Sequence, residues 1–196
     1  MSQPPLSSLN PESTQSPEGE FSSDERATLL RLAHDSILSS LERREISMEP
    51  PDVHMAEPRG VFTSLYLHGQ LRGCVGYPLP GASVYRAVAE TARAAAFEDP
   101  RFPAVTLPEA GELEIELSIL SRPQAIDADS VEPGRHGLVI SMAGRRGLLL
   151  PQVAIERHWD RETFLGQTCL KAGLPQDAWR RGATIEAFVA EVFGEK

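Results

Sequence analysis

The stretch Glu112-Leu113-Glu114-Ile115-Glu116-Leu117-Ser118-Ile119 alternates between apolar and polar side chains without a break. Successive side chains of an extended strand point to opposite faces. The pattern therefore specifies a strand with Leu113, Ile115, Leu117 and Ile119 on one side and three glutamates on the other. Three like charges along one face need water, so that face is expected at an exposed edge or on the outside of a sheet. Whatever this chain folds into must cover one face of a sheet and leave the other open.

The cover is legible as helices. Ser22 or Ser23 can cap a helix whose first turn carries Asp24 and Glu25, favourable at the positive end of the helix dipole. Leu30, Ala33, His34, Ile37, Leu38 and Leu41 then give one stripe at helical spacing, fraying near Arg43 and Arg44. A second helix is capped by Ser83 and runs from Val84 to Phe97. Its alanines at 87, 89, 92, 94, 95 and 96 admit a close neighbour, and Asp99-Pro100-Arg101-Phe102-Pro103 ends it. Between the two, Gly60 to Leu67 and Gln70 to Val75 read as a hairpin turning at His68-Gly69. A second hairpin runs from Gly137 to Met142, turns at Ala143-Gly144-Arg145, returns to Leu150 and is closed by Pro151. A helix from about Arg161 to Ala172 stops at Gly173, and a short one follows near Trp179. The segment from Ile185 to Phe193 fits both a helical stripe and an alternating strand. Hairpins with separate helices indicate an α+β fold, an antiparallel sheet with flanking helices.

The length of 196 residues suits one domain, with room for a subdomain. Residues 1–20 are rich in Ser, Pro and Glu and read as a disordered tail, leaving 21–196 as the domain. The tail lacks the basic start and apolar stretch of a secretory leader, and no apolar run is long enough to cross a bilayer. The chain is expected to be soluble and cytoplasmic. A formal net charge of −9 disfavours nucleic acid and anionic membranes as partners. The two cysteines, Cys74 and Cys169, are far apart and expected as free thiols in a reducing compartment.

The segment that best concentrates chemistry is Leu71-Arg72-Gly73-Cys74-Val75-Gly76-Tyr77. A thiol reacts as the thiolate, and a nearby cation lowers its pKa. In a regular strand Arg72 shares a face with Cys74, while Gly73 and Gly76 leave room for a ligand at the backbone. This suits a nucleophile, a redox thiol or an anion notch. The same residues also suit a buried structural cysteine on a strand whose glycines permit close packing. Asp99 is a general base or an ion-pair partner, and Arg101 can clamp a carboxylate. Alternatively, Asp99 and Arg101 only satisfy backbone groups at a helix stop. Of the five histidines, His136 precedes a strand and is the one to compare with Cys74. No pair of them has metal-ligand spacing, and phosphate-loop and dinucleotide patterns are absent, so neither metal nor cofactor is expected. Gly144-Arg145-Arg146-Gly147 is too short for nucleic-acid readout.

Taken together, Gly60-Val61-Phe62, Leu71-Arg72-Gly73-Cys74-Val75-Gly76, Ala95-Ala96-Phe97-Glu98-Asp99-Pro100-Arg101-Phe102-Pro103, His136-Gly137-Leu138, Leu149-Leu150-Pro151-Gln152 and Lys171-Ala172-Gly173-Leu174 resemble the AMMECR-type domain family. In bacteria that family is called AmmeMemoRadiSam system protein A. The likeness runs from about Ser23 to Glu195. The visible departure is Cys74-Val75-Gly76 where the family has Cys-Ile-Gly. The resemblance implies a larger and a smaller subdomain with the Arg-Gly-Cys motif near the cleft between them, and a strand for Thr184 to Phe193. It also implies a Memo-like protein and a radical S-adenosylmethionine protein as partners, with an unknown small molecule as ligand.

Two functional readings stand side by side. In one, the chain handles a substrate by cysteine chemistry, with Cys74, Arg72, Asp99 and His136 as catalytic candidates and Gly73, Gly76, Arg101 and Phe102 as ligand-binding candidates. In the other, the same motif shapes a groove for a partner or ligand and catalyses nothing.

Overall fold

The computed structural model of the chain describes residues 19–195. Residues 1–18 of the expected tail lie outside the described residues. Gly19 and Glu20 lie within them, and Glu20 pairs with Arg59.

Helix α1 (Ser23–Glu42) begins where Ser22 and Glu25 form a capping box. The Glu25 N–H donates to the Ser22 hydroxyl, and the Ser22 N–H donates to the Glu25 carboxylate at 2.7 Å. The buried stripe of α1 runs through Leu29, Leu32, Ala33, Ser36 and Ile37, while Leu30, Leu38 and Leu41 flank it half-buried. The expected stripe was rotated because it passed over Ser36. That hydroxyl is buried and donates to the Ala89 carbonyl at 2.6 Å, which lets a serine sit in an apolar seam.

Strands β1 (Val61–Leu67) and β2 (Gln70–Tyr77) form the first hairpin. Its turn residues His68 and Gly69 both have positive φ, 52° and 74°, as a two-residue hairpin turn requires. Helix α2 (Val84–Phe97) is capped by Ser83 as expected. A one-turn helix α3 (Leu107–Ala110) leads into β3 (Leu113–Leu120), the alternating strand. There follow β4 (Gln124–Ala125), β5 (Gly137–Met142), β6 (Arg145–Leu149), α4 (Pro151–Glu156), α5 (Arg161–Lys171), β7 (Thr184–Phe188) and β8 (Ala190–Gly194). Pro151 does more than close the hairpin. It occupies the first turn of α4, where its missing N–H costs nothing.

The strands form two antiparallel four-stranded sheets, ordered β2-β1-β3-β8 and β4-β7-β5-β6. The first packs one face on α1 and α2. Val61, Thr63, Leu65, Ile115 and Leu117 are buried there, and Thr63 and Thr91 hydrogen-bond across the interface at 2.8 Å. Strand β3 is flanked by β1 and β8. Its glutamates therefore lie on the outer face of an interior strand, the second of the two places expected for them.

The second sheet packs on α4 and α5 with its own core, which includes Leu138, Ile140, Phe164, Leu165 and Cys169. The chain crosses between the lobes at residues 121–123 and returns at Val189. These crossings are stitched together by Ser121 N–H to the Val189 carbonyl at 2.8 Å and Val189 N–H to the Ser121 hydroxyl at 3.0 Å. Leu120, Val139 and Phe188 form a small shared core at the junction. The last segment is thus a strand, broken at Val189, whose halves belong to different sheets. Among the described residues no helix is long and apolar enough to cross a membrane.

The docking of α5 on β6 depends on one missing side chain. A Cβ at Gly147 would meet the backbone nitrogen of Ala172 at 2.3 Å, and backbone cannot yield as a side chain can. Gly147→Ala is expected to lower unfolding stability by about 1–3 kcal/mol in urea titration. Gly81→Ala, facing open space, should change it by less than about 0.5 kcal/mol.

Candidate functional site

The two-residue turn at His68-Gly69 pairs Leu67 with Gln70 and Tyr66 with Leu71. Continued regularly, that register would set Thr63 against Cys74 and turn the thiol towards the helices. Instead the register slips: Leu65 pairs with Gly73 and Ser64 with Cys74. Arg72 is the extra residue of a β-bulge. A one-residue slip moves every following side chain to the other face. Cys74 is thereby placed on the open face, in a cross-strand row with Ser64 of β1 and Glu116 of β3.

The bulge also breaks the alternation that would put Arg72 beside the thiol. The Arg72 guanidinium is held elsewhere, by Glu109 at 3.0 Å and the carbonyls of Pro103 and Ala104 at 2.8 and 3.3 Å. In return Arg72 and the Thr106 N–H bring the Glu109 carboxyl down to about 2.

The cation at Cys74 is Arg101. Strand β2 is a sheet edge, and at Cys74 its outward backbone groups are taken by two side chains from the loop after α2. The Cys74 N–H donates to Asp99 Oδ2 at 2.9 Å, and Arg101 Nη2 donates to the Cys74 carbonyl at 3.3 Å. Asp99 is buried and also accepts from Arg101 Nη2 at 2.7 Å, Arg101 Nε at 3.0 Å and the Arg101 N–H at 3.1 Å. The pair does what a neighbouring strand would do, offering one acceptor and one donor to the edge. The Arg101 guanidinium and then the two backbone N–H groups hold Asp99 far below the usual carboxylate range. The Asp99 bond, and to a lesser degree the Cys74 sulfur, raise Arg101. With its lone pairs committed in this way, Asp99 positions Cys74 as an anionic clamp. Of the two expected roles for Asp99, the ion pair is the one with the geometry.

The glycines of the motif are filled by protein. A Cβ at Gly73 would lie 2.1 Å from the Ala95 carbonyl oxygen of α2, and one at Gly76 would fall 1.9 Å from the Phe62 ring. They serve helix docking and an aromatic lid, and the room expected for a ligand at the backbone is not there. Phe102 stacks near Arg101, its ring centre 5.4 Å from the guanidinium carbon. His136 is in the smaller lobe, where its Nδ1 accepts from the Glu132 N–H at 3.1 Å within its own turn.

Around the half-buried sulfur stand groups that sequence reasoning did not assemble. The Ser64 hydroxyl donates to Cys74 Sγ at 3.4 Å. Tyr66 reaches Glu116 at 3.5 Å, and burial, then the Glu116 charge, raise its hydroxyl pKa. Their signal was the hairpin register itself, which the bulge concealed. Cys169, by contrast, is fully buried in the second core, and burial raises its thiol pKa.

Among the described residues, Glu20, His54 and Glu57 bring ligand atoms within 4.8 Å of one another. A cation already occupies that neighbourhood. Arg59 Nη2 pairs with Glu20 and lies 2.9 Å from Glu57, and His54 pairs with Glu25 at 2.7 Å.

Comparison with known proteins agrees with this architecture. A sequence model of the AMMECR1 family matches residues 30–193. Protein MK0488 of Methanopyrus kandleri is 42% identical over 191 residues, covering 91% of this chain and 89% of that one. Protein TK0174 of Thermococcus kodakarensis is 39% identical over 183 residues, covering 86% and 89%. The crystal structure of PH0010 from Pyrococcus horikoshii superposes with a TM-score of 0.63 at 37% identity, covering 86% of this chain and 90% of that one. The chain belongs to the AMMECR1 family.

Two outcomes follow from the geometry. Iodoacetamide should label the folded chain at Cys74 alone, with Cys169 labelled only after unfolding, as read by peptide mass spectrometry. Folding also holds the Asp99 carboxyl below its ordinary value of 3.8, so its stabilisation is complete above that value and is lost as pH falls through the lower folded value. The wild type should exceed Asp99→Asn by roughly 1–3 kcal/mol near pH 7. The gap should begin to narrow below about pH 4 and close only as pH falls on towards the lower folded value.

Proposed function

We propose that this chain is a cytoplasmic substrate-handling component in which Cys74 acts as a nucleophile or redox thiol on a small molecule held at the open face of the first sheet. The observation that carries this reading is the bulge at Arg72. It turns a thiol out of the core and onto a face shared with Ser64, Tyr66 and Glu116. A cysteine kept only for packing gains nothing from being half-exposed beside a cation.

In this reading Arg101 steadies negative charge at the sulfur or on the ligand, with Phe102 beside it. Asp99 holds Arg101 and the Cys74 backbone in place. Glu116, linked to Tyr66, takes up or returns a proton. Arg72 acts at one remove, by holding the bulge against Glu109 and the 103–104 carbonyls. His136, bonded within its own turn, has no part. Membership of the family supports a Memo-like protein and a radical S-adenosylmethionine protein as the neighbours with which the chain works.

A second reading is favoured by the filling of Gly73 and Gly76 by protein. The motif then serves as a rigid binding surface for a partner or ligand, and Cys74 is a packing element of it.

The two separate on thiol kinetics. Under the cysteine reading, Cys74 alkylates severalfold faster at pH 7 than free cysteine, Arg101→Gln slows it towards the free rate, and Arg72→Gln slows it only if the bulge is lost. A folded chain whose Cys74 reacts no faster than free cysteine would sink the cysteine reading and leave the binding surface.

A further inference from the structure

The open face that carries Cys74 has a polarity of its own. Strands β1, β2, β3 and β8 hold a single lysine or arginine between them, Arg72, and Glu109 takes its charge at 3.0 Å. Across the face, in strand register, run Cys74, Ser64 and Glu116. The next rung sets Tyr66 opposite Glu114. Glu114 and Glu116 are both half-buried. Neither forms an ion pair among the described residues, and Glu116 meets only the Tyr66 hydroxyl, at 3.5 Å. A half-buried carboxylate has lost part of its water and gains from a cation. Two residues apart on one face of a strand, the pair stands about 7 Å apart and repels.

The cations around this face are committed to other acids. Arg101 lies 2.7 Å from Asp99, and His68 lies 3.0 Å from Glu112 at the hairpin turn. The Arg101–Asp99 and Arg72–Glu109 pairs are local dipoles without net charge. Arg101 therefore acts on the sulfur at short range, while the face beyond it stays negative.

We propose that the small molecule handled at Cys74 is an organic cation, a protonated amine whose charge sits between Glu114 and Glu116 against the Tyr66 ring. The inference rests on the reading of Cys74 as a thiol acting on a ligand at this face, and it gives that ligand its charge. An ammonium group is attracted both by carboxylates and by the face of an aromatic ring. Neighbouring strands lie about 4.8 Å apart, so Glu116 stands about 10 Å across the sheet from Cys74. A molecule with its amine at the glutamates and its reacting atom at the sulfur spans two strands, passing over Ser64. Phe62 and Val192 belong to the adjoining row and offer an apolar side to its body. An anionic molecule would meet two uncompensated carboxylates along the same path.

Methanethiosulfonates of different charge test this on the full chain, read at the Cys74 peptide by mass spectrometry. The thiolate attacks the sulfenyl sulfur, forming a mixed disulfide and releasing methanesulfinate. The cationic 2-aminoethyl, anionic 2-sulfonatoethyl and neutral methyl reagents share that chemistry. Each rate is divided by the rate with 2-mercaptoethanol, a neutral thiol. At about 10 mM ionic strength, where the Debye length is about 30 Å, the cationic reagent should outpace the anionic one about tenfold or more. In about 1 M salt, where that length is about 3 Å, the ratio should fall towards one. Glu114→Gln and Glu116→Gln should each lower the ratio severalfold, and the double variant should bring it near one. Glu162→Gln, in the other lobe beside Arg180, removes the same unit of charge and should leave it unchanged. If the Glu116 variant does not fold, Glu114→Gln decides. The proposal is overturned by a wild-type ratio of one or below, by a ratio that survives the glutamate substitutions, or by an equal fall with Glu162→Gln. The neutral reagent judges the underlying reading separately. If it reacts no faster with Cys74 than with free cysteine, the cysteine reading fails and takes the amine with it. Fast neutral labelling without a preference for the cation removes the amine alone.

Discussion

One extra residue in an edge strand decides which face of the first sheet carries the thiol. The turn at His68-Gly69 and the alternation of β1 set a register that would bury Cys74 against the helices. Arg72 breaks it. Bulges are costly unless something holds the surplus residue, and here Glu109 and two carbonyls hold the Arg72 side chain. The Asp99–Arg101 pair then seals the strand edge immediately after the slip. The loop that ends α2 is in this way part of the sheet. Helix stop, edge cover and thiol orientation are one connected set of hydrogen bonds, and Asp99 is its most tightly bound member.

This explains which parts were legible in the sequence. Elements with strong local signals came through with nearly their full bounds: the Ser83-capped α2, the alternating β3, and α5 ending at Gly173. The α+β class followed from them. The short elements did not. Helices α3 and α4 and the two-residue β4 have too few residues for a period to show, and Pro151 reads equally as a terminator and as a first helical residue. The strand at the C-terminus is ambiguous because Ile185, Val189 and Phe193 satisfy both periods. Its long-range pairing to β5 and β3 settles it.

The site was legible in its ingredients and illegible in its geometry. Cys74, Asp99 and Arg101 were named from the sequence, and they do meet. Arg72 was matched to Cys74 on the assumption of an unbroken strand. The bulge that defeats the assumption has no local signature beyond a glycine, Gly73, whose missing side chain admits the Ala95 carbonyl. Ser64, Tyr66 and Glu116 escaped notice because their relevance depends on cross-strand register, a property of pairs of segments. Glu116 in particular was read as part of a solvated face, which it is, but that face is also where the thiol emerges.

The crossings at residues 121–123 and Val189 carry a topological consequence. Leu120 and Ala190 are direct partners across β3 and β8, so the chain leaves the first sheet and re-enters it at neighbouring points. Residues 121–189 are, in connectivity, a single long loop at the tip of a hairpin, and the whole second sheet with α4 and α5 is built inside it. The register of the first sheet does not depend on how long that loop is. Lineages are free to enlarge, trim or reshape the smaller lobe while the strands around Cys74 keep their pairing, and the wall it contributes to the junction can change without disturbing the wall opposite.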